Sequence, residues 1–247
     1  MMKMILEVPC GNIESVQAAK QGGADRIELC SALRLGGLTP SPAMFDAVSN
    51  MGMEIAVMIR PREGDFNYSK KEFEMMLKEI DYFKNAGAAG IVSGILTTNQ
   101  EIDVERTKEL LEVSYPLPFT FHRAFDLAAN PYESFNRLLE LKVDRLLSSG
   151  QSSDAFVGLN LISELVKLSQ NRIQIIAGAG INPGNVAAIC TSGVTAIHLS
   201  GKKKKNSEKP HKHPSVVMGL QINDDSTFDV TDADVIKQVR KIIDELT

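Results

Sequence analysis

The chain lacks the features that mark several protein classes. Its three cysteines, Cys10, Cys30 and Cys190, include no CxxC pair. That excludes a disulfide scaffold and a closed cysteine-based zinc site, and it suits a reducing compartment. Positive charge is not in excess, since 27 Lys and Arg stand against 31 Asp and Glu for a net charge of −4. No electrostatic case for nucleic acid or an acidic membrane surface follows. Long apolar runs are also missing. Met1-Met2-Lys3 leads into a strand interrupted by Glu7, which leaves no stretch for a signal peptide or a membrane span, so the expected address is the cytoplasm. No strand-end lysine stands out as a Schiff-base former, and no strand end carries a His-x-His plus carboxylate pattern of a binuclear hydrolase.

What is present is a rhythm. Short Val/Ile/Leu-rich runs recur eight times, at Ile5 to Cys10, Asp25 to Cys30, Ile55 to Arg62, Gly90 to Gly94, Phe119 to Asp126, Asp144 to Gly150, Ile173 to Gly180 and Ala196 to Gly201. Most neighbours are separated by a stretch with helical apolar spacing, such as Phe73, Met76, Leu77, Ile80 and Phe83. Strand then helix, eight times over, predicts an α/β fold: a closed parallel (β/α)8 barrel, a single domain spanning residues 1–247. Ligands of such barrels sit at the C-terminal ends of the strands.

Two segments break the rhythm, and both fall on that ligand side. One is the Gly/Leu/Pro-rich loop Ser31 to Pro42. The other runs from Lys202 to about Pro214 and holds four consecutive lysines, read as a solvated mobile loop, and His211-Lys212-His213, whose histidines could bind a metal weakly. Ser215 to Val230 reads as a short β-turn element. A final amphipathic helix from about Asp232 to Leu246 would set Val235, Val239 and Ile242 against the barrel.

Alternation assigns the strand side chains, because outward residues must be apolar to pack on the helices. By that parity Glu7, Arg26, Glu28, Cys30, Arg60, Arg62, His122, His198 and Ser200 point inward, while strand six leaves Ser148 and Ser149 open. Buried charges without partners are costly, so Glu7, Arg26, Glu28 and Arg60 are expected to form one ion-paired network. Such a network can be purely structural. Two strand-end histidines beside it favour a site, with Glu7, Glu28, His122, Asp126 and His198 as candidate acid–base groups. Arg26, Arg60, Arg123, Ser149, Gly178, Gly180 and Ser200 are candidates for holding a small anionic or phosphorylated metabolite. Among them, Gly178-Ala179-Gly180-Ile181-Asn182-Pro183 is read as opening a helix that favours an anion, with Ser200-Gly201 completing the pocket.

The residues also carry a resemblance. Asp25-Arg26-Ile27-Glu28-Leu29-Cys30, Gly37-Leu38-Thr39-Pro40-Ser41, Ile59-Arg60-Pro61-Arg62, Thr120-Phe121-His122-Arg123-Ala124-Phe125-Asp126, Ser148-Ser149-Gly150 and Ala177-Gly178-Ala179-Gly180-Ile181 together resemble the CutC family over nearly the whole chain. The resemblance implies a cytoplasmic TIM barrel, a homodimer or higher oligomer, and a role in copper homeostasis with cysteines as Cu(I) ligands. One family cysteine corresponds to Cys30. The other position, two after the first-strand Glu, is Pro9 here, with Cys10 one residue later, and a shift of one residue along a strand normally swaps faces. Copper binding through Cys10 and Cys30 is therefore one expectation. A metal-independent lyase, isomerase or hydrolase acting on a small anion is the other.

Overall fold

The structure, a computed structural model, describes residues 3–208 and 226–246. The eight apolar runs form strands β1 (Ile5–Cys10), β2 (Arg26–Leu29), β3 (Glu54–Met58), β4 (Gly90–Ser93), β5 (Phe119–Phe121), β6 (Arg145–Ser148), β7 (Gln174–Gly178) and β8 (Ala196–His198). Each pairs in parallel with the next, and β8 pairs back to β1 with His198 beside Glu7, which closes the barrel. The predicted (β/α)8 fold is the observed one.

Around the barrel run α1 (Ile13–Gly22), α2 (Pro42–Ser49), α3 (Lys70–Asn85), α4 (Val104–Ser114), α5 (Pro131–Glu140), α6 (Leu159–Ser169), α7 (Val186–Cys190) and α8 (Ala233–Leu246). Side chains start five of them: Asn12, Ser41, Ser69, Asp103 and Asn130 each accept a bond from a first-turn N–H, and Ser69 with Glu72 forms a capping box. Such a cap is worth about 1 kcal/mol.

The hydrophobic layer lies between barrel and helices, where Leu6, Val8, Ile27, Leu29, Ile91, Phe119, Phe121 and Ile197 are buried against α3, α4 and their neighbours. Inside the barrel the apolar content shrinks to two small clusters, Cys30 with Ala56, Met58 and Val92, and Leu147 with Ile176 and Ala196. The space between them is left to charge.

Three sequence expectations need correction. The final helix buries Ile236, Val239 and Ile243 rather than Val235 and Ile242. The stripe is rotated because Ile236 seats on Gly22, where an added Cβ would lie 2.4 Å from the Ile236 Cβ. Lys202–Asn206 is not a mobile loop. It is β9, paired antiparallel with β10 (Thr227–Thr231) and tied down by Lys203–Asp232 at 3.2 Å and Lys205–Glu14 at 2.7 Å. The glycine motif after β7 does not open a helix, since α7 begins only at Val186 and spans five residues. His211, His213 and most of the Ser215 to Val230 element lie outside the described residues. No helix among the described residues is long and apolar enough to cross a membrane.

Candidate functional site

The lower part of the barrel interior holds an ion-paired floor. Arg26 donates to the Glu7 carboxylate and, at 3.3 Å, to Glu54, which also pairs with Arg145 at 3.5 Å. On the other side of Glu7, His198 Nδ1 donates to Oε1 at 2.7 Å. Burial alone would raise the Glu7 pKa, but the bonds and charges of His198 and Arg26 outweigh it and hold it down to about 2. At His198 burial works downward, but the charge of the neighbouring Glu28 and the bond and charge of Glu7 outweigh it and raise its pKa, which favours the protonated ring.

Glu28 is the exception to this pairing. It is 3 % exposed, forms no ion pair among the described residues, and its Oε2 has no hydrogen-bond partner. Burial is the main cause that pushes its pKa up to about 7; His198 and Arg26 pull it down, and Glu7 pushes it further up. A carboxyl placed there exchanges its proton near neutral pH. Glu7, Glu28 and His198 each place a ligand atom within 4.8 Å of the others, a spacing that could hold a metal ion. Their oxygen and imidazole donors suit harder ions than Cu(I), and both Glu7 oxygens are already bonded.

Above this floor opens a cavity of about 700 Å³, the size of a metabolite pocket. The β2–α2 loop covers it with Leu33, Leu35 and Gly36, as the break in the rhythm predicts. On one wall His122 follows β5, 3 % exposed. Its Nδ1 accepts from the Ala124 N–H at 3.2 Å, while Nε2 has no partner. Burial, helped by the nearby Arg60, pushes its pKa down to about 3, so His122 is neutral. Gly94 makes room for the ring, since a Cβ there would come within 2.6 Å of Nδ1. Phe66 packs on the ring at 4.9 Å between centroids and also lies under the Arg60 guanidinium at 4.8 Å.

The rim is tied together by Asp126. Its carboxylate accepts from Ser148 Oγ at 2.6 Å, Ser149 N at 2.9 Å, Ser149 Oγ at 2.8 Å, Gln151 N at 3.2 Å and Arg123 Nε at 2.8 Å. A carboxylate so fully bonded holds Arg123 in place. Leu147 faces the cavity; Ser149, just after β6, does not line it but accepts a bond from Arg123 at 2.9 Å. Across the mouth, Ala179, Gly180, Ser200 and Lys202 complete the lining. Gly178 lies behind them, facing Leu147 and His198. Ala179 takes φ +83°, a strained conformation for a residue with a Cβ, at the cavity wall.

The predicted network thus splits. Glu7, Arg26 and His198 are joined, but Glu28 stays unpaired and Arg60 leaves the floor altogether. Arg60 spends Nη1 on the Leu35 and Gly37 carbonyls (2.8 and 3.1 Å) and Nη2 on the Gly64 carbonyl (3.1 Å). Arg62 is not inward: it lies beyond the strand, 35 % exposed, bonded to Asp65 and Glu72. Cys10 does not turn toward the mouth. It packs with Leu6 and Val8 in the outer layer and donates to the Val8 carbonyl, whereas Cys30 sits inside with Met58. Neither cysteine lines the cavity, and burial, with Glu28 nearby, raises both thiol pKa values. Cys190 packs near the core, its Sγ 3.4 Å from Met4 Sδ. The sequence reading missed Glu54, Arg145 and Phe66, and it put Lys202 on the ligand side but as a solvated loop. Arg145 was findable, because it shares the parity of Leu147.

Comparison with known proteins agrees with the architecture. A CutC protein of Pasteurella multocida is 44% identical over 244 residues, covering 98% of this chain and all of the relative. The structure of a CutC protein from Streptococcus agalactiae, whose name assigns it to copper homeostasis, superposes with a TM-score of 0.75 at 32% identity over 80% of this chain and 98% of that one. An N-(5'-phosphoribosyl)anthranilate isomerase from Pyrococcus furiosus shares the fold alone, with a TM-score of 0.55 at 13% identity over 98% of this chain and 99% of that one. The CutC family model matches residues 4–203, and with these relatives it places the chain in the CutC family.

Proposed function

We propose that the mouth of the barrel binds a small organic anion and moves a proton on it, with Glu28 and His198 as the acid–base pair. One observation carries this reading: a buried, unpaired Glu28 oxygen lies beside an imidazolium at the bottom of a cavity of about 700 Å³. A group that changes protonation near neutral pH, within reach of a bound metabolite, is what general acid–base catalysis requires. Glu7 and Arg26 are positioning residues that keep His198 cationic and fixed. Arg60, His198 and Lys202 give the lining a positive bias that favours an anion, Asp126 and Arg123 being paired with each other.

Copper, the cargo suggested by the name of the Streptococcus agalactiae relative, fits the residues less well. Cu(I) prefers thiolate and thioether donors. The two cysteines lie in different layers with protonation favoured, and the polar centre offers oxygen and nitrogen donors. The test is proton NMR in D2O of small 2-oxo acids, hydroxy acids and sugar phosphates incubated with the protein. Conversion or hydrogen exchange of one class, lost in Glu28→Gln, is expected; an unchanged rate in Glu28→Gln overturns the reading.

A further inference from the structure

Three residues that line the cavity each keep a buried polar atom without a hydrogen-bond partner: Glu28 Oε2, Arg60 Nε and His122 Nε2. Their chemistry is complementary. Because the Ala124 N–H points at Nδ1, the single proton of the neutral His122 ring is on Nε2, which makes that atom a donor. Arg60 Nε–H is a donor by nature. Both side chains pack on Phe66, which puts them on one wall of the cavity that Glu28 also lines. Leaving two such donors buried and unbonded costs stability unless a ligand uses them.

Geometry also limits what the donors can hold. The other Arg60 nitrogens are spent on the Leu35, Gly37 and Gly64 carbonyls, so its guanidinium cannot fork onto a phosphate. One N–H from each residue suits a single oxygen, and a neutral imidazole suits an oxygen that gains charge only during reaction. Resting on the acid–base reading above, we propose that His122 Nε2–H and Arg60 Nε–H seat the carbonyl oxygen of a small carbonyl-bearing carboxylate, a 2-oxo acid, and that the protein moves a proton at the carbon beside that carbonyl. Glu28 Oε2 takes the C–H proton, the C–H electron pair becomes the C=C bond of an enolate, and the carbonyl π pair moves to the oxygen held by His122 and Arg60. Glu28 then returns the proton to carbon. The step needs no further reactant. Arg123 and Lys202 on the rim meet the carboxylate.

Oxalate, a planar dicarboxylate resembling such an enolate, is the probe. In the ¹⁵N-labelled native chain, saturating oxalate is expected to move the His122 Nε2–H resonance downfield with Nδ1 still unprotonated, and saturating sulfate is expected to leave it in place. His122→Asn should weaken oxalate by about 10- to 100-fold. Failure of oxalate to bind, or binding with an unmoved Nε2–H, overturns the seat whether or not the variant folds. Deuterium exchange keeps the two ideas apart. Exchange of 2-oxo acid protons lost in Glu28→Gln, with His122 silent, keeps the acid–base reading and rejects the seat. A shifted His122 without exchange of any 2-oxo acid rejects the proton-transfer step, and with it the substrate assignment.

Discussion

Replacing Glu28 by Gln should remove a pH dependence from the folding free energy. In the fold, burial pushes this carboxyl from its ordinary 4.5 up to about 7, with Glu7 adding to burial and His198 and Arg26 opposing it. A raised pKa means that the native state holds the proton more tightly than the unfolded chain. The associated stability is full below pH 4.5 and is lost as pH rises through about 7. At 1.36 kcal/mol per pH unit, the loss between pH 4.5 and 8.5 is about 3 kcal/mol, and at 3 % exposure solvent screens little of it. His198 adds to the same alkaline decline, because its raised pKa also stabilises the fold at low pH and fades as the ring loses its proton. Urea denaturation of the native chain and Glu28→Gln at half-unit steps across that window reads the two together, because the Glu28 charge is also the largest cause raising the His198 pKa. The native stability should fall by about 3 kcal/mol more than that of the variant. Parallel curves would refute the view of Glu28 as a buried, unpaired carboxyl.

Asp126→Asn should destabilise the protein by about 2–3 kcal/mol, because the new amide meets the Ser148, Ser149, Gln151 and Arg123 donors with hydrogens of its own; thermal and urea melts check it. Gly94→Ala should cost about 1–3 kcal/mol and displace the His122 ring, visible as a moved His122 resonance, because the new Cβ would lie 2.6 Å from Nδ1. Cys10→Ser together with Cys30→Ser should leave Cu(I) affinity unchanged under chelator competition in a glutathione background. A loss of stoichiometric binding would restore the copper reading.

Much of the architecture was legible because a parallel barrel repeats one unit eight times, and outward apolar residues make strand parity readable. That parity placed Glu7, Arg26, Glu28, His122 and His198 inside, and the break in the rhythm placed the loop from Ser31 over the mouth. It failed where strands end. Arg62 follows β3, and there the Asp65 and Glu72 carboxylates, rather than the pleat, decide direction, whereas Arg60 does reach the cavity wall. Pairing inside the barrel was not legible either. Arg26 turned to Glu54, which lies one residue before the run read as the third strand, and Glu28 was left with a free oxygen. The tie between Asp126 and the β6 serines depends on a loop conformation that no periodicity reports.

Solvent deuterium uptake by a 2-oxo acid tests the central claim most directly, measured with the native chain, with Glu28→Gln, and with oxalate as competitor. Uptake by the native protein that oxalate suppresses and Glu28→Gln abolishes is the expected result. Undiminished uptake in Glu28→Gln, or none with the native chain, would contradict the assignment of proton transfer to this site.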